Sequence, residues 1–110
     1  MESKFQYRLT EKAAADLDEI VSYIAVKLSN RQAASDFVDK LQKSIDAICA
    51  LPQSGTPVDN DFLADIYLRK KLIGNYTMYY LAKPTEKIIY IVRIVYAKRN
   101  MDEILRQINL

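Results

Sequence analysis

The chain contains no histidine and no tryptophan, and only one cysteine, two glycines and three prolines among its 110 residues. Without histidine, serine–histidine and cysteine–histidine catalysis, histidine-bearing zinc sites and the usual neutral-pH proton shuttle are closed to it as a lone chain. Any chemistry must run on Lys, Arg, Tyr, Asp or Glu, and no metal or small-molecule cofactor is expected. A single cysteine forms no internal disulfide, and Cys49 has apolar sequence neighbours, so a reducing, cytoplasmic setting is expected. The scarcity of Gly and Pro, with no repeat or low-complexity tract, disfavours disorder and solenoids. No apolar run approaches the roughly 18 residues of a membrane span, and the opening MESKFQYRLT has no signal-peptide core, so no membrane partner is expected.

What is present suffices for one domain over residues 1–110, since half of the residues are hydrophobic. The formal charge of +2 conceals an asymmetry. Residues 66–99 carry Arg69, Lys70, Lys71, Lys83, Lys87, Arg93, Lys98 and Arg99 against Glu86 alone, whereas residues 1–60 are slightly acidic. A basic third of this kind suits a polyanionic partner.

The apolar periodicity defines the elements. Phe5 to Leu9 alternates as a half-buried strand does, and Thr10 is placed to cap a helix whose apolar residues Ala13, Leu17, Ile20, Val21, Ile24 and Leu28 recur at helical spacing over about five turns. Asn30 is placed to cap a second helix carrying Ala34, Phe37, Val38, Leu41, Ile45, Ile48 and Leu51, ended by Pro52 with Gly55 and Pro57. Two amphipathic stripes with a short link predict an antiparallel helical hairpin. Residues 52–65 read as a loop. Three strands come next, Ile66 to Ile73, Tyr76 to Ala82 and Ile88 to Tyr96, with turns at Gly74-Asn75 and at Lys83 to Lys87. Met101 to Leu110 reads as a short amphipathic helix. The expected fold is α+β: a two-layer sandwich with an N-terminal strand, an antiparallel helical hairpin, a three-stranded antiparallel sheet and a short C-terminal helix.

Three basic groupings could carry chemistry. In Arg69-Lys70-Lys71, strand alternation sends Arg69 and Lys71 to one face and Lys70 to the other, as target-binding cations or as lysines that guard a sheet edge. Arg93 interrupts an apolar strand on the face of Ile89, Ile91 and Val95, and needs either a phosphate or an acidic helix residue as partner. Tyr96, Lys98 and Arg99 lie at and just past the end of that strand, where side chains reach solvent. Tyr76, Tyr79, Tyr80 and Tyr90 share the sheet with these cations and can either stack bases or pack as core residues. A metal-independent RNA cleavage would use Arg69, Arg93 and Arg99 to stabilise charge at phosphorus, with Tyr96 or Lys98 moving protons.

The order and the motifs together resemble the RelE/ParE superfamily, the toxin halves of bacterial type II toxin–antitoxin pairs. The similarity rests on YRLTEKAAADLDEIVSYI for the first strand and helix, AASDFVDKLQKSIDAICALPQSG for the second helix and its end, LRKKLIGNYTMYYLA for the strand pair, and IYIVRIVYAKRNMDEIL for the last strand and the segment after it. It implies a plasmid stabilisation-like module in which the chain arrests growth, a cognate antitoxin silences it, and the target is DNA gyrase (ParE-like) or ribosome-bound mRNA (RelE-like endoribonuclease). Arg69 and Arg93 match the family's strand arginines, and Lys98 and Arg99 its basic pair. Tyr96 stands where many members have histidine, and no aromatic residue comes after it. These departures favour the gyrase-directed branch, and leave a non-catalytic RNA- or partner-binding module as the alternative.

Overall fold

In the computed structural model, residues 4–58, 68–98 and 106 are described. The described elements run β1 (Gln6–Leu9), α1 (Glu11–Ser22), a π turn (Tyr23–Lys27), α2 (Arg31–Ala50), a 3-10 turn (Pro52–Ser54), β2 (Thr56–Pro57), β3 (Leu68–Ile73), β4 (Tyr76–Lys83) and β5 (Ile88–Tyr96). Five strands form one sheet in the order β1-β5-β4-β3-β2. The first strand runs parallel to β5, Gln6 opposite Ile88 and Leu9 opposite Ile91, and all other pairs are antiparallel. The α+β layering expected from the periodicity is therefore present, with a wider sheet than three strands. The predicted tail helix, Met101 to Leu110, lies outside the described residues except for Arg106, as do Ile66 and Tyr67 of the predicted third strand.

Both helices start where their caps dictate. Thr10 Oγ1 accepts from Ala13 N at 3.2 Å, and Asn30 Oδ1 accepts from Ala33 N at 2.9 Å. The first amphipathic stripe does not stay α-helical to its end: from Tyr23 the ladder widens, with Leu28 N donating to Tyr23 O at 3.1 Å. Ser29, at a φ of 48°, then turns the chain into α2. At Gly74-Asn75 only the glycine takes a positive φ, +60°, the position a two-residue hairpin assigns to glycine.

The helical layer covers one face of the sheet. Ala13, Ile20 and Ile24 with Phe37, Leu41, Ile45 and Ile48 pack on Ile73, Met78, Tyr80, Ile89, Ile91 and Ile94. Each of the large members contributes roughly 1.5–3 kcal/mol by leaving water. Val38 and Leu51, assigned to the apolar stripe by spacing, are instead exposed. A second cluster on the opposite face gathers Leu68, Tyr79, Leu81, Val92 and Val95, all buried. The sheet is thus apolar on both sides.

One irregularity changes the facing of β5. Arg93 stands opposite Tyr79 and Ile91 opposite Tyr80, so Val92 is an extra residue in the ladder. The bulge resets alternation: Ile94 joins Ile89 and Ile91 toward the helices, while Val95 joins Val92 on the other side. Strict alternation, which grouped Arg93 with Ile89, Ile91 and Val95, therefore fails here. Thr10 secures the bulge, its N–H donating to Ile91 O at 3.0 Å and its hydroxyl to Val92 O at 3.1 Å.

Candidate functional site

The strand cations do not converge on one point. On β3 the register places Arg69 opposite Tyr80 and Lys71 opposite Met78, on the helix side, and Lys70 opposite Tyr79 on the other side. This division is the one alternation predicts.

Arg69 works with the turn that ends α2. Its Nη1 donates to Gln53 O at 3.2 Å and to Gly55 O at 2.8 Å, and Lys71 Nζ donates to Ser54 Oγ at 3.2 Å. Tyr80, fully buried, closes the same turn from below: its hydroxyl donates to Pro52 O at 2.8 Å and accepts from Gly55 N at 2.9 Å. Burial pushes the Tyr80 phenol above its ordinary range despite the opposing Gly55 N–H and Arg69 charge, so it is a structural donor and not a base. Gly55 is required for space. A Cβ there would collide with Tyr80 Oη and come within 2.9 Å of the Lys70 carbonyl oxygen. The four residues Pro52, Gly55, Arg69 and Tyr80 form a latch, and its short β2 extension pairs Thr56 with Lys70. Reading residues 52–65 as loop missed both the 3-10 turn and β2, because a two-residue strand has no periodicity to detect; residues 59–65 lie outside the described ones.

Beside the latch lies an open groove of about 1000 Å3 lined by Lys4, Phe5, Leu51, Arg69, Pro84 and Lys87 among others. Among the described residues, its charged lining side chains, Lys4, Arg69 and Lys87, are all basic. Lys87 takes a left-handed φ of 55° at the end of the β4–β5 turn and lies 5.9 Å from the centre of the Phe5 ring. Because both Arg69 acceptors are uncharged carbonyls, the guanidinium keeps its full charge toward this groove.

Arg93 is differently employed. Its Nε donates to Asp16 Oδ2 at 2.7 Å and its Nη2 to Asp16 Oδ1 at 3.1 Å, and Asp16 Oδ2 also accepts from Ile94 N at 3.0 Å. The side chains are 6% and 13% exposed, so this is a desolvated bidentate pair. Of the two partners the sequence allowed, the acidic residue from a helix is present. Asp16 also occupies an N–H of β5 beyond the point where β1 ends.

At the end of β5, Tyr96 is 47% exposed and meets Tyr76 edge to face at 6.0 Å. Lys98 is exposed in the turn after β5, and Arg99 lies outside the described residues. The other predicted stacking residues divide: Tyr79 and Tyr80 are buried, Tyr76 and Tyr90 half-buried. Burial raises the phenol pKa of Tyr79 and of Tyr76, the latter also through Tyr23 and Tyr96. Sequence reasoning missed the latch role of Tyr80, the partner Asp16, and the groove that brings Lys4 together with Lys87. Only the juxtaposition of Gly55 with a buried aromatic could have hinted at the first, and strand alternation carries no signal for an arginine paired across a bulge.

The sequence profile of the ParE toxin of the type II toxin–antitoxin system parDE matches residues 7–101. No curated protein matches the sequence. Among solved structures, a chain from the chromosomal ParDE TA system of P. aeruginosa superposes with a TM-score of 0.68 at 22% identity, covering 86% of this chain and 98% of that one. A chain of the archaeal RelE–RelB complex from Pyrococcus horikoshii gives 0.60 at 14% identity, covering 89% and 100%. One from the RelBE2 toxin–antitoxin complex of Mycobacterium tuberculosis gives 0.58 at 17%, covering 86% and 99%. At these identities the structural likeness concerns the fold.

Proposed function

The chain belongs to the ParE toxin family of type II toxin–antitoxin systems, and on that premise we propose that it arrests growth by acting on DNA gyrase and that a cognate antitoxin silences it. The observation that carries the choice of target is the separation of the strand cations. Cleaving RNA without a metal requires a base, an acid and cations around one phosphate. Here Arg69 and Lys71 hold the latch on the helix side, Lys70 stands on the opposite face, and Arg93 is neutralised by Asp16. Around Lys70 that opposite face is apolar, with Leu68, Tyr79, Leu81 and Val92. Those side chains are themselves buried, so what remains is a set of dispersed cations, which suits contact with a protein target better than hydrolysis of a polyanion. The antitoxin expectation draws support from the solved relatives, which include RelE–RelB and RelBE2 complexes.

The decisive experiment adds purified protein to a gyrase supercoiling reaction and, separately, to a translating extract. Supercoiling should be inhibited and the mRNA remain intact. Cut mRNA with unaffected supercoiling would reassign the target to the ribosome. Normal growth on induction, with salt-sensitive RNA binding, would instead identify a binding module. Co-expression of the neighbouring gene product should restore growth.

A further inference from the structure

A second groove, of about 550 Å3, lies between α1 and the last residues of β5, away from the basic one. One stripe of α1 and the turn after it supplies Asp16, Glu19 and Tyr23, and the sheet supplies Tyr76, Ile94 and Tyr96. Tyr76 and Tyr96 are register partners, so their rings leave the sheet side by side. Phe37 of α2 braces Tyr76 from behind at 5.2 Å and 68°, which fixes its orientation. Tyr23 is 49% exposed and opens the π turn, a local widening that recurs at functional sites. The three phenols are near enough for Tyr23 and Tyr96 to raise the Tyr76 pKa, after burial, so that ring stays neutral and its hydroxyl available.

The charge of Asp16 is answered by Arg93, and that of Glu19 is not: among the described residues the Glu19 carboxylate has no ion pair or hydrogen bond, and neither do the hydroxyls of Tyr23, Tyr76 and Tyr96. Among the described residues, none that lines the groove is basic. An anion would be repelled by Glu19, and an apolar side chain would desolvate that carboxylate without replacing its water. A cation satisfies the carboxylate and the negative ring faces together. Of the two cationic side chains, the guanidinium is the better fit, since it is planar, weakly hydrated and stacks on rings while donating in its plane.

We propose that this groove receives the guanidinium of an arginine presented by a partner polypeptide, with Glu19 as its counter-charge and Tyr23, Tyr76 and Tyr96 as its walls. The site is independent of the choice between gyrase and ribosome. Its test is an amide-resolved NMR titration of the intact chain with N-acetyl-arginine methylamide, its citrulline counterpart and spermidine. The arginine probe should shift residues 19, 23, 76 and 94–96 saturably. Citrulline, or the Glu19→Gln variant, should weaken binding about three- to tenfold, the scale of a partly exposed charge and cation–π contact. Tyr96→Ala should weaken it comparably, while Tyr96→Phe, which keeps the ring, should weaken it less. Equal binding of citrulline, shifts scattered over other acidic surfaces, or tighter binding of spermidine than of arginine would each overturn the proposal. Glu19 is exposed, so its substitution tests the site without threatening the fold.

Discussion

Arg69 and Arg93 stand on strands of one sheet and each donates at least two hydrogen bonds, yet their partners give them opposite electrostatic meanings. The Arg69 guanidinium binds carbonyls and remains a net cation at the edge of a basic groove. Arg93 binds a carboxylate and is cancelled, 5% exposed. A strand arginine therefore says nothing about polyanion binding until its acceptor is known. The latch side of the molecule keeps its charge unneutralised, and the Asp16 side uses its charge to close the fold.

That contrast can be broken first at Asp16. Asp16→Ala strands a buried guanidinium and frees the Ile94 N–H, and should cost about 3–5 kcal/mol in urea unfolding. Adding Arg93→Met should recover a large part of the loss; a double variant as unstable as the single one would show that the pair is not the source. At the latch, Gly55→Ala forces a methyl against Tyr80 and the Lys70 carbonyl and should cost about 1–3 kcal/mol, read as a lowered Tm. Arg69→Met should cost only about 1 kcal/mol, because both acceptors are uncharged carbonyls and the bond to Gln53 O is exposed. A loss as large as that of Asp16→Ala would abolish the distinction between the two arginines.

The smallest effect concerns pH. The folded-state pKa values of Tyr76, Tyr79 and Tyr80 are raised above the unfolded value of about 10, so the folded chain holds these protons more tightly. Their contribution is complete below about pH 10 and is lost as pH rises through the folded values. Urea midpoints should be level from about pH 7 to 9 and fall toward about pH 11, and Tyr80→Phe should lessen the fall. A midpoint that stays flat across that upper range would contradict this assignment.

Much of this architecture was legible in the chain. Thr10 and Asn30 announced both helix starts because a capping side chain acts on residues three positions away, and the strand alternation of Arg69, Lys70 and Lys71 held because β3 is regular. What escaped was non-local. The Val92 bulge depends on how β5 meets β4, the parallel pairing of β1 depends on a strand far along the sequence, and the Asp16–Arg93 pair depends on both. Of the predicted site residues, Arg69, Lys70, Lys71, Arg93, Tyr96 and Lys98 could be located: Arg69 and Lys71 share the turn at the end of α2, Lys70 faces the other side, and Arg93 and Tyr96 lie near α1, so they do not form one centre. The two grooves were invisible for the same reason, since each is walled by elements distant in sequence.

The parallel pairing of the first strand with the last has a consequence for synthesis. A chain emerging N-terminus first makes β1, both helices and β3 before the strand that lies between β1 and β4 exists. Until Ile88 to Ile91 appear, β1 has no partner, and until Val92 appears the hydroxyl that begins α1 lacks its carbonyl. Closure is thus a late, long-range event of the kind that slows folding. The nascent protein completes its two grooves, both of which border β5 or its preceding turn, only when that strand has been translated.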